Sequence, residues 1–518
     1  MPRRGHAGGR NIVSSRIILD AAQCETIQQF SGGVSHLWSD QPDPLKHAQV
    51  VEELRSKAPI HKPAALAQTI SLDITVEPEA LAKELHAEPG FIWLDDEVGR
   101  HHMFHDPLCI ISCDGEQAHV QGTCGSAHFA CGSFGLLQAA VEAWAGVPGA
   151  RLVGYIAYEC GGEIEDLGSS DTDGGTWPHL WFALYDRRVT AEGERWSLTG
   201  TEAWRGEGSV RNAASDFARW LDARKGPMQV TSHDTEKPLS PGPLESDPEA
   251  AAFKESVADL VNRILRGDFF QVNFCRHLQA PLEVPLAWPL FQRMRARAGG
   301  RFRAFLHLDD KRSILSVSPE LYLRVRAGKV ESKPIKGTRP RGKSHEEDEA
   351  LRRDLSSSEK DRAELSMIVD VVRNDLSRVC LAGSVKVEEH ATVLTLPSLH
   401  HTVSRVSGTL RPDVGLVDLL RASFPAASIT GAPKIAAMKA VHELERQKRG
   451  PCMGAIGWIS LTGEMELSVA IRTAFTDAGK VIYLAGCGIT SDSQPVQELR
   501  ESQAKAKSFV NSLGLLDE

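Results

Sequence analysis

The sequence predicts an α+β fold. Three observations lead there. Strand-like and helix-like stretches are mixed without the regular strand–helix–strand repeat of a doubly wound sheet. Short β-branched and aromatic runs share the chain with long stretches of helical period. The 518 residues, 42 % apolar and 25 % charged, suffice for two domains or one large composite body.

The elements follow in chain order. Residues 1–40 read as an N-terminal extension. Arg3, Arg4, Arg10 and Arg16 are followed by no apolar h-region, so no secretory signal is expected. Residues 41–225 read as a scaffold or regulatory region with strand-like pieces at 90–94, 152–158 and 180–186. Its stretch from His101 to Cys131 is rich in His and Cys, but holds no CxxC pair. It reads as strands with incidental Cys and His rather than a zinc module. Residues 226–247, with Lys237-Pro238 and Ser240-Pro241-Gly242-Pro243, have linker or insertion composition.

Residues 248–518 form the chemically informative region. A helix capped by Ser246 or Asp247, with Pro248 in its first turn, carries Phe253, Val257, Leu260, Val261 and Ile264 at helical spacing and ends at Gly267. Strands are expected at 269–274, 303–308, 313–317, 321–325 and 482–485. Helices are expected at 346–379, with a break near Ser356 to Ser358, at 434–447 and at 495–513.

Composition excludes some functions. A net charge of −9 and a pI near 6.1 argue against a nucleic-acid binder. No apolar run of about 18 residues exists, so no membrane span is expected. Ten cysteines without a secretion signal are expected as free thiols, in a cytoplasmic protein.

Four segments could carry chemistry. Asp361 and Glu364 lie three apart in one helical stretch, and Glu498 and Glu501 three apart in another. Each pair shares a helix face, and two such faces meeting would make an all-oxygen site suited to Mg²⁺. Each pair alone reads equally as a solvated face, with Glu501 paired to Lys505. The segment Ser332 to Gly342 reads as a cationic loop in which Lys333, Arg339 and Arg341 would lower the pKa of Lys336 and make it a nucleophile; a surface basic loop is the alternative. Ser428 to Lys434, including Thr430, leads into a helix N-terminus, where anions bind. Ala485-Gly486-Cys487-Gly488 is a turn that would let a ligand approach the backbone.

Taken together these segments resemble the chorismate-binding enzymes. The resemblance runs from about Asp247 to the C-terminus, through Gly267 to Asn273, Ser318-Pro319-Glu320, Pro334 to Thr338, Met367 to Asp370, Arg373-Asn374-Asp375, His400 to Ser404, Ser428 to Lys434, Ile471-Arg472-Thr473 and Ala485 to Gly488. A fainter likeness lies at Gly154 to Glu159. It implies large antiparallel sheets packed as a sandwich with helices outside, the two halves intertwined in one body. It implies Mg²⁺ held by Glu364 and Glu498, flanked by Asp361 and Glu501. Gly337, Thr338, Arg472 and Gly488 match positions that hold substrate carboxylates, His401 matches the histidine near the ring, and Glu320 matches the general acid. Trp458 stands where a tyrosine is common, and Pro425-Ala426-Ala427 departs from the family's Pro-Gly-Gly.

Two positions narrow the reaction. Water-using relatives place a lysine base where this chain has Gln271. Members that aminate chorismate at C2 carry alanine where this chain has Lys336; lysine there marks those that aminate C4. The resemblance therefore implies chorismate and ammonia as substrates. No glutaminase region with a nucleophilic cysteine is seen, which implies a separate glutamine amidotransferase subunit.

Overall fold

The computed structural model describes residues 44–61, 66–168, 177–224, 239, 241–396 and 399–515. The N-terminal extension and most of the expected linker therefore lie outside the described residues.

Among the described residues two antiparallel sheets of twelve strands each make the body. Eleven of each follow one order, and the twelfth pairs off it, Gly431–Ala432 on Gln271–Pro281 in the first and Lys386–Thr395 on Leu399–Thr409 in the second. The first runs in the order Ala67–Leu72, Arg195–Thr201, Arg187–Glu192, His101–Phe104, Ile92–Asp95, Phe302–Asp309, Arg312–Ser318, Thr473–Asp477, Lys480–Ile489, Gln271–Pro281, Glu245–Asp247. The second begins Ile335–Pro340, Leu399–Thr409, Lys329–Lys333, Leu321–Arg326 and continues through Met465–Val469, Ala455–Ser460, Arg151–Ile156 and Leu180–Tyr185 to Cys109–Cys113, Gln117–Gly122 and Gly125–Ala130.

Both sheets mix the two halves of the chain. Phe305 pairs with Trp93 in the first sheet, and Gly457 with Gly154 in the second. The division at residues 226–247 is therefore not a boundary between independent domains. Part of the expected linker is itself a strand, Glu245–Asp247, on the edge of the first sheet.

Period-two alternation sorts the core into layers. Ile92, Ala304, Leu306 and Ile314 share one buried cluster with Val153, Tyr155 and Ile456, which the strand register places on one face of the second sheet. Trp93, Phe305 and Leu315 point the other way, onto Trp288, Phe291 and Phe509 of outer helices. A third cluster joins the helices Ala250–Arg266 and Lys434–Leu444 to the strand Gln271–Pro281. Phe253, Val257, Leu260 and Ile264 are the buried face of the first of these helices, each worth roughly 1.5–3 kcal/mol of burial. That helix begins at Ala250 after Glu249, with no side-chain cap; Ser246 and Asp247 are spent in the strand instead. The helical stretch expected at 346–379 is two helices, His345–Ser357 and Glu359–Ser377. They break at Ser358, whose hydroxyl caps the second by accepting from Asp361 N. No helix of the described residues is long and apolar enough to cross a membrane.

Candidate active site

The segment around Lys336 is strand, not loop. Ile335–Pro340 pairs with Leu399–Thr409, setting Lys336 opposite Thr402 and Thr338 opposite His401, with a register shift between them. Gly337 takes that shift at φ +67°, and a β-carbon there would stand 2.9 Å from Thr402 Oγ1 and 3.0 Å from the Asp361 carboxyl carbon. Only glycine suits the position.

Lys336 turns its amine inward, where Nζ donates to the Ser428 carbonyl at 3.2 Å. Its pKa is lowered, but not by the cations of its own segment. Burial is the main cause, with Lys505 adding to it and Glu364 and Glu320 opposing. Lys333, Arg339 and Arg341 are spent in ion pairs with Glu97, Asp354 and Asp348.

Glu320 is 2 % exposed. Burial pushes its carboxyl up to about 7, against the pull of Ser428, Lys336 and Arg472. The Ser428 hydroxyl is buried beside that acid, close enough to pull on it though without strict hydrogen-bond alignment.

His401 is neutral. Burial, then Arg472, drive its pKa down to about 3. Arg472 can only donate, so His401 Nε2 accepts from its Nη2 at 3.0 Å, while Nδ1 faces Gly337 O at 3.1 Å and Thr338 Oγ1 at 3.0 Å. This geometry makes His401 a tether that orients Arg472 and Thr338 rather than a proton donor. Arg472 Nη1 is buried without a partner, which suits it to an anion.

Gly488 lies at the focus. A β-carbon there would sit 2.8 Å from Gln271 Nε2, 3.6 Å from Lys336 Nζ and 3.7 Å from Glu364 Oε2. Gly486 is set back: its carbonyl accepts from Lys505 Nζ at 2.9 Å and its α-carbon faces Asn273 and Cys275. Gln271 is buried, and its Oε1 has no partner.

The acids are unequal. Glu498 is 4 % exposed; its Oε1 accepts from Ser493 Oγ at 2.7 Å and its Oε2 has no partner. Burial raises the pKa of Glu498 and of Glu364. Burial works the same way on Glu501, but Lys505 at 2.8 Å prevails and lowers it. Glu498, Glu501 and the Cys487 sulfur gather within 4.8 Å. Burial raises the Cys487 pKa, and its thiol donates to the Glu498 backbone carbonyl; a soft sulfur is also a poor partner for a hard cation. Asp361 departs from expectation: it pairs with Arg339 at 3.2 Å and is absent from that group. Glu364 is also outside that group, but both its carboxylate and that of Glu498 feel the charge of Glu501. Hard carboxylate oxygens, with Glu498 Oε2 buried and unsatisfied, are the donor type that Mg²⁺ takes, and Glu501 is engaged by Lys505.

Two expected contacts fall elsewhere. The Thr430 hydroxyl donates to the Ala426 and Ala427 carbonyls at 3.1 and 3.2 Å, so it shapes the turn instead of offering a donor to a ligand. Trp458 lies between the sheets, with Arg151 3.6 Å and Arg326 4.6 Å from its ring centre. It lines a separate cavity with Asp96, His102 and Glu466. Sequence reading underweighted Ser428 and Lys505; the i,i+4 spacing of Glu501 and Lys505 was the available signal.

The family of chorismate binding enzymes matches residues 88–511. The chain belongs to this family. Among its relatives, aminodeoxychorismate synthase component 1 of Salmonella typhimurium is 34 % identical over 361 residues, 70 % of this chain and 76 % of the relative. Anthranilate synthase component 1 of Aquifex aeolicus is 42 % identical over 213 residues, 41 % of this chain and 43 % of the relative. The crystal structure of anthranilate synthase component I from Streptococcus pneumoniae superposes with a TM-score of 0.68 at 26 % identity, covering 85 % of this chain and 98 % of that one. The Streptococcus structure shares this fold, and membership in the family makes the Lys336–Gly488 cluster the candidate active site.

Proposed function

We propose that this chorismate enzyme is an aminodeoxychorismate synthase component I, making 4-amino-4-deoxychorismate on the route to 4-aminobenzoate and folate. The observation that carries the reading is the half-buried Lys336, whose amine is aimed at Gly488 and Glu364 and steered by Ser428. Burial lowers its pKa, which favours the neutral, nucleophilic form of the amine.

Arg472, Gly337 and Thr338 hold substrate carboxylate. Bound Mg²⁺, held by Glu364 and Glu498, would neutralise carboxylate charge and draw electrons from the ring. Lys336 Nζ bonds to C2 as the C4–O bond breaks, and Glu320 gives its proton to the departing hydroxyl, which leaves as water. Ammonia then bonds to C4, the C2–N bond breaks and the lysine returns as free amine. The surplus ammonia proton restores Glu320, and the pyruvyl group stays in place. Gln271, where a lysine base would activate water, supports ammonia as the nucleophile. The component 1 names of the relatives support a separate subunit that supplies ammonia from glutamine.

Anthranilate synthesis is the second reading, favoured by the Aquifex relative and the Streptococcus fold. Incubation with chorismate, Mg²⁺ and ammonium, followed by chromatographic product analysis, separates them. Aminodeoxychorismate is expected. Fluorescent anthranilate alone would overturn the proposal, and no chorismate consumption would favour a non-catalytic binding role.

A further inference from the structure

Tyr158 and Glu159 belong to the N-terminal half, yet their contacts reach the catalytic turn through one buried residue, Arg449. Arg449 is 1 % exposed. Its Nε and Nη2 donate to Glu445 Oε2 and Oε1 at 2.7 and 2.8 Å. Nη2 also donates to the Asn273 carbonyl at 2.7 Å, and Nη1 to the Ile429 carbonyl at 3.1 Å. Glu445 in turn accepts from Cys275 N at 2.8 Å. One planar fork thus ties the strand that carries Gln271 to the turn that carries Ser428.

The N-terminal half holds this fork in place. The Arg449 guanidinium lies 4.3 Å from the Tyr158 ring centre. Glu159 Oε1 accepts from Gly450 N at 3.1 Å, and Tyr158 N donates to Gly450 O at 3.0 Å. A lysine can preserve the charge opposite Glu445, but its point charge cannot reproduce a planar fork reaching two carbonyls.

We propose that Arg449 is a positioning residue. It fixes the Ser428 turn against the Gln271 strand, so that the Ser428 carbonyl meets Lys336 and the Ser428 hydroxyl faces Glu320. Tyr158 and Glu159 set its orientation, giving the N-terminal half a part in the chemistry. The roles of Lys336 and Glu320 rest on the proposed function; the linkage itself does not.

The test uses the full-length chain with chorismate, Mg²⁺ and ammonium, scored as chorismate consumption whatever the product. Arg449→Lys is expected to keep the native circular dichroism spectrum and to lower kcat about 10- to 100-fold, with KM for chorismate within about twofold of wild type. Combined with Lys336→Ala, it is expected to cost no more than Lys336→Ala alone. A folded Arg449→Lys enzyme with wild-type kcat, a rise in KM in place of the kcat loss, or fully additive losses would overturn the proposal. If Arg449→Lys does not fold, Tyr158→Leu decides: the same split supports the proposal and wild-type kcat overturns it. A wild-type product other than aminodeoxychorismate would sink the proposed function and leave this comparison intact.

Discussion

Lys336 and Ser428, 92 residues apart, meet through one hydrogen bond from the lysine amine to the serine carbonyl at 3.2 Å. Once deprotonated, an amine that donates one N–H to a fixed carbonyl has the direction of its lone pair restricted by that bond. The proposed reaction needs this direction, and truncation should reveal it. Lys336→Ala is expected to slow aminodeoxychorismate formation by more than about 100-fold, roughly 2.7 kcal/mol of barrier, while chorismate still binds in calorimetry. Wild-type turnover would remove the nucleophile role.

Glu320 sets an alkaline limit. Burial raises its carboxyl to about 7, so the proton-donating form is present below that pH and lost above it. The expected kcat profile falls as pH rises through about 7. Glu320→Gln should abolish this limb and cost about 10²- to 10⁴-fold in rate. A flat wild-type profile from pH 6 to 9 would assign the acid elsewhere.

Metal binding should be visible without turnover. Mg²⁺ is expected to raise the thermal midpoint of the wild-type protein, by an amount equivalent to about 2.7 kcal/mol at a hundredfold excess over Kd. In Glu498→Ala that rise should vanish, as should Mg²⁺-dependent activity. An unchanged shift would mean the ion sits elsewhere.

Gly488→Ala tests the shape of the cavity. The added methyl would stand 2.8 Å from Gln271 Nε2 and close to Lys336 Nζ, in space that substrate must approach. Chorismate affinity is expected to fall at least about tenfold, equivalent to about 1.4 kcal/mol. Retention of full affinity would show that the substrate lies off this surface.

Phe509 connects stability with the site. Its ring stacks on Tyr483 at 4.5 Å, on the helix that also carries Glu498 and Glu501. Phe509→Ala is expected to cost about 3–5 kcal/mol in urea unfolding. A loss below about 1 kcal/mol would mean this contact does not anchor the helix.

Much of this was readable in the chain. The closing helix was expected at 495–513 and spans Pro495–Leu513, because its apolar period and Gly514 are local signals. The break near Ser358 was visible for the same reason. What failed depended on distant partners. Lys333, Arg339 and Arg341 looked like an electrostatic cluster until their acids arrived from Glu97, Asp354 and Asp348. Thr430 looked available until its hydroxyl turned back on its own loop, and Trp458 until Arg151, from the other half, stacked on it. Strand Glu245–Asp247 was hidden in linker composition because an edge strand needs only a partner.

The interleaving of early and late strands constrains any attempt to express residues 248–518 alone. Removing residues 41–225 would strip Phe302–Asp309 and Ala455–Ser460 of neighbours, baring hydrogen-bonding edges inside an apolar surface. Such edges recruit other copies, so the shortened polypeptide should accumulate as insoluble material.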